Sequence, residues 1–229
     1  MKNKTKYLMA ILFGILAILW IALVKCVDVA AIGPAGTSVG LSGLNQAVHN
    51  LTGVHMLWYT ITDWLGILAV LAVAAMALLG LVQLIKRRSL FKVDREILAL
   101  GGLYLAIFVL YVFFEKVVIN YRPLIMPGET VPEASFPSSH TMLACVIFES
   151  AALLVLRYVK GKAAQAVLGL VCFALSFATV LLRLLSGVHW LTDIAAGVFL
   201  SMALLQLYDA ALERFRKERD GSAKEKGAR

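Results

Sequence analysis

The run WLGILAVLAVAAMALLGLVQLI, Trp64 to Ile85, is 22 residues long and carries no charged side chain. At 1.5 Å per residue a helix of about 20 residues crosses the hydrocarbon core of a bilayer, and a helix apolar on every face belongs in lipid or in a large protein's core. Working outward, Ile97 to Phe114 and Ala163 to Leu182 repeat the pattern. Tyr7 to Val27 is interrupted only by Lys25, whose long stem can reach the interface from near the helix end. Thr141 to Leu156, which carries Glu149, and Trp190 to Tyr208, which carries Asp193 in its first turn, complete six spans. The composition agrees: 61% hydrophobic residues, 16% charged residues and a mean hydropathy of +0.84 exclude a soluble domain of 229 residues. The expected fold is all-α, a polytopic membrane protein of six transmembrane helices.

Loop charge predicts its orientation, because Lys and Arg collect on the cytoplasmic side. Lys2, Lys4 and Lys6 precede the first span, and Lys86, Arg87, Arg88, Lys92 and Arg95 join the second to the third. Arg157, Lys160 and Lys162 join the fourth to the fifth, and seven further cations from Arg214 to Arg229 follow the sixth. Both termini are therefore expected in the cytoplasm, which leaves Lys25, Lys116, Arg122 and Arg183 at or near the outer face. Topology and anionic lipid headgroups account for the net charge of +8, so no nucleic-acid partner is implied. The basic start and its long apolar run read as an anchor rather than a cleaved signal. Cys26, Cys145 and Cys172, odd in number and set in apolar surroundings, indicate neither a disulfide framework nor a metal cluster.

Residues 1–212 form one membrane domain, followed by a polar cytoplasmic tail, 213–229, expected to be disordered. Between the first two spans, Leu41, Leu44, Val48 and Leu51 recur at helical spacing. They predict an amphipathic helix on the outer surface, which either roofs a site or simply packs.

Three polar patches stand out against this background, where a charged or imidazole side chain needs a reason. Pro137-Ser138-Ser139-His140 opens the fourth span. Hydroxyls there cap free amides and the positive end of the helix faces outward, so the patch is either a capped helix or an anion site. His140 in its first turn can give a proton to a leaving group held by those amides. Arg183 ends the fifth span, and His189 and Asp193 stand four residues apart at the start of the sixth, on one helical face. If they meet, the carboxylate orients the imidazole as nucleophile or base. Lys116, Arg122 and Pro123 follow the third span on the same outer face, where two cations either snorkel or bind phosphate.

In order and spacing these patches resemble the type 2 phosphatidic acid phosphatase superfamily, whose members carry Lys-x6-Arg-Pro, Pro-Ser-x-His and Ser-Arg-x5-His-x3-Asp. The resemblance spans Lys116 to Asp193, about a third of the chain. Five residues rather than six separate Lys116 from Arg122, so Glu115 stands where the family has Lys, and Leu182 stands where it has Ser. The resemblance implies a metal-independent phosphatase with no cofactor. His189 would be the nucleophile that forms a phosphohistidine, Asp193 its orienting partner and His140 the acid. Lys116, Arg122, Ser138, Ser139 and Arg183 would hold the phosphate. A phosphate pocket at the outer bilayer surface suits a lipid phosphate or diphosphate; undecaprenyl diphosphate, phosphatidylglycerophosphate and phosphatidic acid are candidates, in a bacterial plasma membrane. The alternatives are a lipid phosphotransferase using the same site and a non-catalytic transporter or binding protein. A transporter should carry polar residues through the bilayer centre, where Glu149 stands nearly alone. Asp63, after Thr60 and Thr62 at the outer end of the second span, reads as an interfacial cap.

Overall fold

The computed structural model describes the backbone of residues 2–227 and the side chains of residues 3–221. Seven α-helices are present among the described residues: α1 (Lys2–Cys26), α2 (Ser42–Thr52), α3 (Met56–Arg87), α4 (Arg95–Lys116), α5 (Ser139–Tyr158), α6 (Lys162–Leu185) and α7 (Leu191–Gly227). All but α2 are long and apolar enough to cross a membrane. They answer to the six apolar runs, and the protein is a multi-pass membrane protein. Large apolar side chains stand exposed along α1, α3, α4 and α6, including Ile18, Leu71, Leu105 and Leu170, as the lipid-facing surface of a bundle requires.

The most enclosed span is α5, which packs between α6 and α7 and against α3, while α1 lies along α7. Val93, Ile97, Leu100 and Leu103 of the α4 side meet Val146 and Leu154 of α5 and Leu205 and Tyr208 of α7 in one core. Nearer the other end, Val24, Phe114, Phe136 and Ala196 form a second.

Helix α3 begins two turns before Trp64, so Tyr59, Thr62 and Asp63 are helical rather than capping. Helix α7 continues where a disordered tail was expected. The reason is charge spacing: Glu213 pairs with Arg216 at 2.7 Å, Arg214 with Glu218 at 2.9 Å, and Arg95 of α4 reaches Glu218 at 2.6 Å. Buried Glu96 gathers Arg157 at 2.9 Å and Arg219 at 3.4 Å at the same end.

The amphipathic helix α2 is turned over relative to the simple expectation. Leu44 and Leu51 are exposed, whereas Asn45 is fully buried and donates to Gly40 O at 2.8 Å and Thr192 Oγ1 at 3.0 Å. Asn45 Oδ1 in turn accepts from the Thr192 amide at 3.2 Å. The polar face docks on the start of α7 because its amide satisfies groups there, and the leucines face the surroundings. Of the two options for this helix, packing is the one observed.

The ends of α1 and α4 and the starts of α3, α5 and α7 gather with the end of α6 at one pole, opposite the arginine-rich pole. Two turns lock there. His55 N donates to Ser186 O at 3.0 Å, and Gly187 has φ +67° with its Cα against the Gly53 carbonyl. A Cβ at Gly187 would overlap that oxygen, and the left-handed backbone alone costs a non-glycine residue about 1–2 kcal/mol. Gly187→Ala is therefore expected to lower the midpoint of thermal unfolding in detergent by several degrees; an unchanged midpoint would contradict this account of the turn.

Candidate active site

The turn Gly187-Val188 delivers His189 to the pole, and Asp193 follows in the first turn of α7. His189 is 4% exposed and Asp193 0%. Asp193 Oδ2 lies 3.6 Å from His189 Nδ1, beyond hydrogen-bond length. The same carboxylate is anchored by other donors, Asn120 Nδ2 at 3.0 Å on Oδ1 and the Trp190 amide at 3.1 Å on Oδ2. Arg122 Nη1 stands 3.3 Å from His189 Nε2. A guanidinium can only donate, so Nε2 accepts and the ring proton sits on Nδ1, toward Asp193. Burial first, then the charges of Arg122 and Arg183, hold the His189 imidazole well below its usual range. It is neutral near pH 7, with a lone pair on the nitrogen that faces the cavity.

The opposite wall is the first turn of α5. The Ser138 amide donates to Asp193 O at 3.0 Å, and its hydroxyl accepts from the Thr141 amide at 3.4 Å, which caps the helix as the sequence predicts. His140 is reached by two elements. Arg183 Nη2 lies 2.9 Å from its Nδ1, and Asp63 Oδ1 lies 3.1 Å from its Nε2. Arg183 itself is 0% exposed, with Nη1 donating to Thr62 Oγ1 at 2.8 Å and to Asp63 Oδ1 at 3.2 Å, and its guanidinium 4.7 Å from the centre of the Tyr59 ring. Its Nε has no hydrogen-bond partner. A buried donor left over in this way is a place for an anion's oxygen.

These groups surround a cavity of about 420 Å³, lined by Arg122, Ser139, His140 and His189 among the residues the sequence singles out. Ser138, Asp193 and Arg183 do not line it: Ser138 caps the helix, Asp193 lies beside His189, and Arg183 contacts His140 Nδ1. Lys116 is not brought in: it is exposed at the end of α4, and Glu115 lines the cavity instead. The one-residue offset from the family spacing turns the side chain by about 100° around α4, enough to exchange the two. A second carboxylate, Glu133, also lines the cavity and pairs with Arg122 Nε at 2.8 Å. Asp63, Asn120 and Glu133 are the members that sequence reasoning missed. Asp63 alone carried a signal, the one acid in a helix whose other charges, Lys86 and Arg87, lie in its last turn. Among the described residues no group of three or more His, Cys, Asp or Glu is placed to hold a metal ion.

A second space of about 410 Å³ adjoins this cavity and shares Tyr111, Ser139 and Met142 with it. Its remaining walls are mostly apolar, from Val70 and Val73 of α3, Ile107 and Phe108 of α4 and Ile147 of α5.

Comparison with known proteins places this arrangement. The PAP2 superfamily profile matches residues 116–216, the stretch that holds Arg122, His140, Arg183, His189 and Asp193. The fold matches the crystal structure of a transmembrane PAP2 type phosphatidylglycerolphosphate phosphatase from Bacillus subtilis with a TM-score of 0.62 at 16% sequence identity, over 90% of this chain and 96% of that one. No curated protein matches the chain.

The Glu133 carboxylate occupies the guanidinium that an anion would use. Removing its charge should free Arg122 and strengthen binding of inorganic phosphate by about 1 kcal/mol, roughly fivefold. Calorimetric titration of Glu133→Gln against the unsubstituted protein checks this, and equal or weaker binding would count against it.

Proposed function

We propose that this chain is a membrane lipid phosphatase of the PAP2 superfamily acting through a phosphohistidine, a reading supported by the profile match over residues 116–216, the shared fold and the geometry of the pole. The observation that carries the reading is the shared wall: a cavity lined by His140, His189 and Arg122, with Glu115 and Glu133, adjoins an apolar cleft between the spanning helices α3, α4 and α5. Such a pair of spaces fits an amphiphile whose phosphate meets Arg122 and the two histidines while its tail stays apolar. The substrate is a lipid phosphate or diphosphate, of the phosphatidylglycerophosphate, phosphatidic acid or undecaprenyl diphosphate class.

In the first step His189 Nε2 attacks phosphorus, and the bond to the leaving oxygen breaks as that oxygen takes a proton from His140. Asp193, fixed by Asn120 and the Trp190 amide, balances the charge that the His189 ring gains. Water then attacks the phosphohistidine, gives its proton to His140, and inorganic phosphate leaves. Arg122, Arg183 and the amides of the α5 cap hold the phosphate oxygens as charge redistributes. The cation-poor pole is the outward one by the loop-charge rule, which puts both termini and the arginine-rich pole in the cytoplasm of a bacterial cell.

Phosphate release from a panel of these lipids by the purified protein tests the assignment. Activity is expected to survive a chelator and to fall by about 10³-fold or more in His189→Ala, with acid-labile phosphohistidine trapped on rapid quenching of the unsubstituted enzyme. Retained turnover in His189→Ala would sink the mechanism.

The depressed His189 imidazole also fixes a pH dependence. Because its neutral form is the nucleophile, its acid limb in kcat/KM lies below pH 6.5. Arg122→Gln removes a cation that disfavours ring protonation, so that limb moves upward by about one pH unit while the limb from the substrate's own phosphate stays in place. A limb that stays put or moves downward would contradict Arg122 as a cause of the depression.

A further inference from the structure

The first three turns of α3 form a fitted receptor that nothing in the motif pattern predicts. Tyr59, Thr62, Asp63 and Gly66 fall on one side of the helix, at spacings of three, four and seven. The Tyr59 ring lies against the Arg183 guanidinium, the Thr62 and Asp63 oxygens accept from its Nη1, and Asp63 also meets His140. Gly66 completes the seat, since a Cβ there would come within 3.3 Å of His140 Cδ2. Thr62 is fully buried and its own hydroxyl proton is committed to Tyr59 O at 2.7 Å, so toward Arg183 it acts only as acceptor.

The chemistry of these partners assigns the proton on His140. Arg183 can only donate, so Nδ1 at 2.9 Å must accept, and the ring proton sits on Nε2, where Asp63 Oδ1 receives it at 3.1 Å. The ring thus stands between a guanidinium on one nitrogen and a carboxylate on the other. At His189 the same kinds of group flank the ring with the nitrogens exchanged, Arg122 at Nε2 and Asp193 3.6 Å from Nδ1, beyond hydrogen-bond length. The groups whose charges bear on His140 are Asp63 on α3, Arg183 on α6, and His189 and Arg122 from the loops, with Glu115 and Glu133 on the shared cavity wall. Of the carboxylates, only Asp63 is in direct contact with the ring.

We propose that Asp63 is the positioning carboxylate of His140: it holds the ring by Nε2, leaves Nδ1 as the nitrogen that gives and takes the proton, and supplies the negative charge that lets the ring be an acid among guanidiniums. This rests on the phosphatase reading, in which His140 protonates the leaving oxygen. When the substrate phosphate draws the Arg183 fork onto its oxygens, Nδ1 takes a proton from solvent at the cavity mouth. As the phosphorus–oxygen bond breaks, its electron pair stays on the leaving oxygen, which receives the Nδ1 proton. His140 returns to the neutral ring, with Nε2–H still on Asp63. In the second half, the proton of the attacking water goes back to Nδ1. Asp63 touches neither substrate nor reacting atom.

Two lipid-tailed substrates separate this role from simple support. An alkyl phosphate has a poor leaving oxygen and needs the acid; a nitrophenyl phosphate with the same tail has a good one and does not. Asparagine at 63 can still accept from Nε2 but carries no charge. Asp63→Asn is therefore expected to slow alkyl phosphate hydrolysis about 10²-fold and the aryl phosphate less than about tenfold. The basic limb of the alkyl profile should move down by about one pH unit, and Asp63→Glu should restore part of the rate. His140→Gln should show the same dependence on the leaving group. Equal losses on both substrates with an unmoved limb, or no loss, would overturn the proposal while leaving the phosphatase reading intact, provided that His140→Gln discriminates between the substrates. A His140→Gln enzyme slowed equally on both, or an unsubstituted enzyme inactive on both, would overturn that reading and this proposal with it. Nitrogen-15 spectra of the unsubstituted protein, assigned with His140→Gln, decide the point even if Asp63→Asn fails to fold: the neutral His140 ring is expected as the Nε2–H tautomer, and the Nδ1–H tautomer would refute it.

Discussion

A guanidinium with no exposed surface, on a helix that crosses a membrane, is the constraint to which the rest of this pole answers. Arg183 cannot shed its proton and cannot reach water, so every neighbour must offer it an oxygen, a π face or a lone pair. Thr62, Asp63, Tyr59 and His140 do so, from two other helices. The charge therefore fastens α3 to α6 and α5, and the two turns at Gly53 and Gly187 close the same junction from outside. Breaking one partner would strand a buried charge, which is far more damaging than the loss of a surface ion pair. The fold and the chemistry are hard to separate here, because one side chain serves both.

Much of the architecture was legible in the chain itself. Apolar runs of bilayer length permit little else, and the six spans follow from that. His140, Arg183, His189 and Asp193 were equally visible, as polar residues in segments where polarity is expensive. The partners that complete the site were not. Asp63 lies 120 residues from Arg183, Asn120 lies 73 from Asp193, and both types occur at ordinary helix ends and loops. Reading Asp63 as an interfacial cap was reasonable locally and missed a contact that only the tertiary fold creates. Lys116 failed for the opposite reason: its residue type matched, but one position along α4 pointed it away and put Glu115 in its place. Helix α2 was legible as an amphipathic surface helix, but which face it buries was not. In a membrane protein the surroundings are as welcoming as the core, and the buried face fell to Asn45 and its hydrogen bonds.

The two poles manage charge differently. At the arginine-rich pole Arg157, Arg219, Arg95 and Arg216 find acidic partners on α4 and α7, in pairs that extend the last helix well past its apolar length. At the other pole, cations meet imidazoles as well as carboxylates, and Arg183 keeps one donor unspent. The first arrangement pairs cation with carboxylate throughout; the second leaves the Arg183 Nε donor without a partner.

On the lipid phosphatase reading proposed above, the wall that the polar cavity and the apolar cleft share at Tyr111, Ser139 and Met142 would set how the fragments of a cleaved amphiphile part company. One fragment would dissolve in three dimensions through the mouth, while the other would diffuse in two through the bilayer. Recombination would then require an encounter between species that no longer occupy the same phase, so separation of the products, as much as the chemistry of the bond, would make the step irreversible.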